Sequence, residues 1–350
     1  MSLFVRPGLE RISAYSAAPL PGVDLDLRDN INLWGAPPRA VAAVRAAAEC
    51  RLQSYPAVDG GALVDELASR LGVRESEVVA GCGSDDLIDA CFRAAASPGD
   101  RVAHSDPTFS MVPIFARLNG LEPVAVAPRA DGSADVDALL ATGARIIYLC
   151  SPNNPTGAPT PESEIRRLIT YAPGVVLVDE AYAEFSGATD WRAEVPAMER
   201  VVVTRTFSKA WGLAGLRVGY GVGGKAIVAA VAKVRGPYKL GALGALAART
   251  ALREDGAWMQ AAAADARSVR DRFTAELGGR RAVRALESRG NFVFLQVDER
   301  ASAVAARFAA LGIGVRAFDD LPVYGSALRI GVAPWESFRR VLDAAREIWP

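Results

Sequence analysis

Seven short apolar runs between residues 76 and 223 constrain the fold more than any other feature. They read SEVVAG, DRVAHSD, EPVAVAP, ARIIYLCSP, GVVLVDEAY, RVVVTRTFSK and RVGYGVG. Runs of this length without polar alternation predict strands buried on both faces. Several are joined by segments of helical period, such as SDDLIDACFRAAA, where Leu87, Ile88, Cys91 and Phe92 share one face. Strands joined in this way make a mostly parallel, doubly wound α/β sheet. From about residue 225 the pattern changes to long alanine-rich helices. NFVFLQV, the helix ASAVAARFAALG, IGVRAF, ALRIGVA and a last helix follow, which together predict a smaller α+β unit. We expect an N-terminal arm (1–38) packing with the small domain, a large domain (39–238) and a small C-terminal domain (239–350).

Charge balance excludes some partners. Forty basic and forty acidic residues cancel, leaving no net field to attract nucleic acid or an anionic membrane. No apolar stretch is long enough for a membrane span, and MSLFVRPGLERISAY carries charges where a signal peptide needs an apolar core. The cysteines form no C-x-x-C pair and no metal spacing. The expected location is the cytoplasm, with reduced thiols. One histidine, His104, rules out a multi-histidine metal site within the chain. Its place after an apolar run reads as an ordinary strand-end histidine or as a neighbour of a site.

In open α/β sheets ligands bind beyond the carboxyl ends of the strands, and that is where this sequence places its unusual polar residues. VVAGCGSDD ends a strand in glycines and opens a helix at Ser84 and Asp85, which reads as a phosphate site or as an ordinary capped turn. Asp179 follows four apolar residues, so it needs a partner. An arginine in a structural ion pair is one candidate; a bound cation or protonated ring nitrogen is the other. LCSPNNPTG reads as a turn or as a site, and RTFSK ends in two hydroxyls and a lysine.

That lysine carries the most information. The chain has four, Lys209, Lys225, Lys233 and Lys239, and otherwise uses arginine for positive charge. An amine can be brought to its neutral form by its surroundings and can then form a Schiff base with a carbonyl compound; a guanidinium cannot. Lys209 stands among polar strand ends, whereas Lys225 opens a helix and the other two have no such cluster. A phosphate cradle, a carboxylate, an amide and a lysine together match the groups of pyridoxal 5'-phosphate.

The ordered blocks NINLWG, SYPAVDG, GCGSDDLID, DPTFSM, CSPNNPTG, VDEAY, TFSKAWGLAGLRVGY, GNFVF, GIGVR and ALRI resemble the histidinol-phosphate aminotransferases, which are class I/II aminotransferases of fold-type I. The resemblance runs from about Tyr15 to Arg329. It implies that the large domain binds pyridoxal phosphate, with Lys209 carrying the cofactor and moving the substrate proton. Asp179 would pair with the ring nitrogen. Tyr182 and Asn154 would bond the phenolic oxygen, and Phe109 would stack on the ring. Ser84, Asp85, Thr206, Ser208 and Arg217 would hold the phosphate. Tyr55 would reach the cofactor of a neighbouring subunit in a homodimer with shared sites. Tyr15, Asn32, Arg316 and Arg329 would bind substrate, Arg329 by a two-point contact with a carboxylate or its equivalent.

The implied activity is a ping-pong transfer of an amino group from an amino acid or amino-alcohol phosphate to a 2-oxo acid. The NIN triplet is similar to threonine-phosphate decarboxylases, which makes a decarboxylase of that type, or a specialised-pathway enzyme with the same cofactor, the alternative. Aminotransferase-like sensors in transcription regulators carry a winged helix ahead of the aminotransferase portion. The resemblance here begins by Tyr15, so a sensor is not expected.

Overall fold

The computed structural model describes residues 6, 9–12, 20–47, 53–187 and 190–350. Among these, Leu25–Asp26 forms a short strand, β1. A large sheet follows from β2 (Val78–Gly81), β3 (Arg101–Ser105), β4 (Glu122–Val126), β5 (Ile146–Cys150), β6 (Val175–Asp179), β7 (Val201–Thr206) and β8 (Gly219–Gly223). All seven apolar runs appear in it. The order is β2-β8-β7-β6-β5-β3-β4. Strands β3 to β7 run parallel, and β8 is antiparallel to both β7 and β2.

Alternation along each strand divides the core. Ile146, Tyr148, Val175, Leu177 and Val202 pack on one face with Leu87, Ile88 and Phe92 of the Gly83–Ala95 helix. Ile147, Leu149, Val176, Val178 and Val203 pack on the other, against Leu168, Ala247 and their neighbours. This two-faced burial is why the strands lack polar alternation. Leu87, Ile88, Cys91 and Phe92 are all fully buried, so the face read from the helical period is the one that packs.

Beyond the helices Lys225–Val234, Ala242–Glu254 and Gly256–Leu277 lie β9 (Val283–Leu286), β10 (Phe292–Val297), β11 (Ile313–Gly314), β12 (Arg316–Leu321) and β13 (Gly325–Gly331). Four of these form an antiparallel sheet in the order β12-β13-β10-β9, while β11 pairs in parallel with β1. That pairing, with Gly331 N–H donating to the carbonyl of Leu27, fixes the arm to this second sheet. No helix among the described residues is long and apolar enough to cross a membrane.

The chain order reverses between β3 and β5. Strands β3 and β4 build outward, and β5, β6 and β7 build the other way. Such a reversal opens a crevice at the carboxyl ends of the strands.

Candidate active site

A cavity of about 740 Å³ fills that crevice. Its floor comes from the ends of β3, β5, β6 and β7. One wall is the start of the Gly83–Ala95 helix, and the roof is formed by residues 29–31 of the arm with Arg316, Phe318, Leu321 and Arg329 of the second sheet. Twelve of the residues singled out in the sequence line it: Ser84, Asp85, Phe109, Asn154, Asp179, Tyr182, Thr206, Ser208, Lys209, Arg217, Arg316 and Arg329.

Asp179 ends β6, only 3 % exposed. Its register opposite Cys150 on one side and Thr204 on the other follows from the strand pairing. The Tyr148 hydroxyl donates to Oδ2 over 2.7 Å, Thr204 to Oδ1 over 3.3 Å, and Ala181 N–H to Oδ1 over 3.2 Å. Among the described residues no ion pair involves Asp179, so of its two candidate partners the arginine is not found; Arg205 pairs with the next residue, Glu180, instead. Burial pushes the Asp179 carboxyl up to about 6, and the donors from Tyr148, Ala181 and Thr204 hold it back from rising further.

Lys209 follows β7. Its amine donates to the Asp29 carbonyl over 3.0 Å and stands 5.9 Å from the centre of the Tyr182 ring. Burial and the guanidinium charges of Arg329 and Arg217 pull its pKa down to about 8, against the opposing carboxylates of Asp85 and Asp29. About a tenth of the amine is therefore neutral at pH 7, far more than at an ordinary lysine, as the sequence argument for lysine over arginine requires. The Tyr182 phenol is pushed up to about 12, chiefly by burial, so it stays a proton donor.

The helix start makes the third element. Gly83–Ala95 begins at the cavity wall, where the first turn presents backbone N–H groups with no partner inside the helix. Arg217 leans over it, donating to Asp85 Oδ2 at 3.3 Å and to Ser208 Oγ at 3.4 Å. Two glycines keep this corner open. A Cβ on Gly83 would meet Arg217 Nη2 at 2.8 Å, and one on Gly219 would run into the backbone of Gly83 and Ser84. Backbone donors, hydroxyls and a guanidinium around a cradle that a single methyl group would fill suit a phosphate. With the buried acid of Asp179 and the amine of Lys209, the donor set fits pyridoxal 5'-phosphate group by group.

Arg329 closes the far side. One nitrogen donates to Asn154 Oδ1 and another to the carbonyl of Arg28, which leaves the Asn154 N–H groups for another acceptor. Arg316 reaches the cavity from β12, and among the described residues no carboxylate pairs with it.

Three expectations fall elsewhere. Tyr15 lies outside the described residues. Tyr55 is 82 % exposed and stacks on Tyr238 at 4.7 Å between ring centres, away from this chain's own cavity. Asn32 is not among the residues lining the cavity: one of its amide N–H groups goes to the carbonyl of Ala210, next to Lys209, and its Oδ1 accepts from Trp34 N–H. The arm asparagine that does line it is Asn30. Sequence reading also passed over Tyr148, whose apolar neighbours disguised it as a core residue. The sequence offers His104 as a strand-end residue or as a neighbour of a site. It is both: it lies on β3, donates from Nδ1 to the Ser105 carbonyl, and lines the cavity.

Comparison with known proteins identifies the family. Residues 23–344 match the family described as Aminotransferase class I and II. A histidinol-phosphate aminotransferase from Ruegeria pomeroyi is 35% identical over 97% of this chain and 96% of its own. An aromatic amino acid aminotransferase from Rhodococcus jostii is 35% identical over 90% of this chain and 89% of its own. Among solved structures, a histidinol-phosphate aminotransferase from Sinorhizobium meliloti, in complex with pyridoxal-5'-phosphate, superposes with a TM-score of 0.85. It is 26% identical, covering 93% of this chain and 91% of that one. The chain belongs to the class I and II aminotransferases.

Proposed function

We propose that this protein moves an amino group between histidinol phosphate, or a related amino compound, and a 2-oxo acid, with pyridoxal 5'-phosphate as its cofactor. The observation that carries this reading is the convergence of Lys209, Asp179 and the Gly83–Ala95 helix start on one cavity. When bound, the cofactor supplies an aldehyde that takes up the amino group and a ring that accepts the electron pair left by α-proton removal.

The chain's own residues have distinct tasks. Lys209 holds the cofactor and afterwards carries a proton on Nζ to and from the substrate carbon. Asp179, ionised, keeps a proton on the ring nitrogen by charge. Tyr182 and Asn154 donate to the phenolic oxygen, and Phe109 covers the ring. Ser84, Asp85, Thr206, Ser208 and Arg217 hold the phosphate group, the Asp85 side chain orienting Arg217. Arg316 and Arg329 receive the anionic end of the substrate, where a planar guanidinium suits a carboxylate or phosphate better than an amine. We infer a homodimer with shared sites; the exposed Tyr55–Tyr238 pair supports it, since two stacked aromatic rings on a surface suit a contact.

A donor screen tests this. Purified protein loaded with cofactor is offered histidinol phosphate, phenylalanine and threonine phosphate. Bleaching of the visible band with no release of carbon dioxide, greatest for histidinol phosphate, is the expected result. Carbon dioxide from threonine phosphate would favour a decarboxylase instead.

A further inference from the structure

Asn30 is held in place from two sides. Its backbone takes a φ of 52°, in the left-handed region that asparagine tolerates better than most residues. Its carbonyl accepts from Asn291 Nδ2 over 3.0 Å. A Cβ on Gly331 would meet the Leu27 carbonyl oxygen at 3.0 Å and Asn30 Cα at 3.4 Å, so a larger residue there would crowd the arm. From this position the Asn30 side-chain amide donates to the Tyr182 hydroxyl oxygen over 3.2 Å, and both residues are almost fully buried.

The direction of this bond matters. A phenol has one proton to give. Asn30 donates into the oxygen, so Tyr182 does not spend its proton on Asn30, and no hydrogen bond donated by Tyr182 is found among the described residues. The proton is left for an acceptor in the cavity. A donated hydrogen bond also polarises the O–H and makes it a better donor in turn.

We propose that Asn30 is a positioning residue that aims and strengthens the Tyr182 hydroxyl toward the phenolic oxygen of the cofactor. This rests on the cofactor reading given above. The charged and titratable groups that face Tyr182 are Lys209, Arg329, Cys150 and Asp179, and none of them supplies the bond that Asn30 makes.

The test is a pH titration of the visible band in cofactor-loaded protein. A hydrogen bond given to the phenolic oxygen draws off negative charge, so the proton on the neighbouring Lys209 nitrogen is held less tightly. Weakening that bond raises the titration midpoint. Asn30→Gly removes the amide and keeps the left-handed backbone; its midpoint should rise by about half a pH unit. Tyr182→Phe should raise it further, and the double variant should match Tyr182→Phe alone. Asn30→Asp, which when ionised can only accept, should turn the Tyr182 proton away from the cavity and approach the Tyr182→Phe value. It also provides the reading should Asn30→Gly fail to hold cofactor. An unmoved midpoint in either Asn30 variant, or a shift in the double variant that adds to that of Tyr182→Phe, overturns the inference alone. Parent protein with no titrating band overturns the cofactor reading as well.

Discussion

Tyr148 and Asp179 sit on adjacent strands, on one face of the large sheet, and the Tyr148 phenol donates to Asp179 Oδ2 over 2.7 Å. Both are nearly inaccessible to solvent, so water cannot replace the bond. Tyr148→Phe removes one oxygen and leaves the ring. The Asp179 carboxyl, already up at about 6, should then rise further. If Asp179 must be ionised to hold the cofactor ring, the acid limb of the pH profile for cofactor binding to the apoprotein should move up by about one pH unit. A variant whose profile overlays the parent's would show that the bond has no bearing on cofactor binding.

The sheet was legible because strands buried on both faces leave continuous apolar runs, and the polar residues at their carboxyl ends then marked the cavity. Lys209, Asp179 and Ser84 stood out because each broke an apolar or glycine-rich setting. Tyr148 did not stand out, because a tyrosine inside IIYLC reads as core until the neighbouring strand's register brings Asp179 beside it. Asn30 and Asn32 sit two residues apart in a segment without period, and only the fold of the arm decides which side chain faces the cavity. The antiparallel course of β8 was equally hidden, since GYGVG carries no sign of direction.

Lys209→Ala should lower turnover by about a thousandfold or more, the range expected when a general acid–base and covalent group is lost. Borohydride treatment of the loaded parent followed by peptide mapping should mark Lys209. A label on Lys225, Lys233 or Lys239 in its place would overturn the assignment. Because the amine titrates at about 8, covalent uptake of cofactor by the apoprotein should quicken as pH rises through that value.

Asp179 should cost the empty protein stability. Its carboxyl binds a proton more tightly in the fold than at its ordinary 3.8. The folded chain therefore carries more protons than the unfolded one between about 4 and 6, and stability falls as pH rises through that window. The difference corresponds to roughly 3 kcal/mol. Asp179→Asn should thus raise the Tm of the apoprotein at pH 8 and leave it nearly unchanged at pH 4, while activity collapses. A Tm that drops at pH 8 would mean that the carboxylate supports the fold and is not strained by it.

Gly219→Ala tests the phosphate cradle. The φ of Gly219 is not positive, so alanine meets no backbone penalty there. Its methyl group would instead collide with the backbone of Gly83 and Ser84 at the helix start. Displacing those N–H groups should weaken cofactor binding by about tenfold or more, through loss of hydrogen bonds to a charged group. Equilibrium titration of apoprotein with cofactor measures it, and unchanged affinity would move the phosphate site elsewhere.

Arg316 separates substrates. It enters the cavity from β12, and no carboxylate among the described residues neutralises it, so an anionic substrate group is the partner it lacks. A charge-assisted hydrogen bond to such a group amounts to about 1.5–3 kcal/mol. Arg316→Ala should accordingly raise KM for histidinol phosphate by roughly tenfold to a hundredfold. Phenylalanine presents a smaller carboxylate where histidinol phosphate presents its phosphate, and Arg329 alone can satisfy a carboxylate by a two-point contact, so its kcat/KM should fall much less. Equal losses for both donors would mean that Arg316 does not tell the phosphate from the carboxylate, and the preference for a phosphorylated donor would then have to come from another residue.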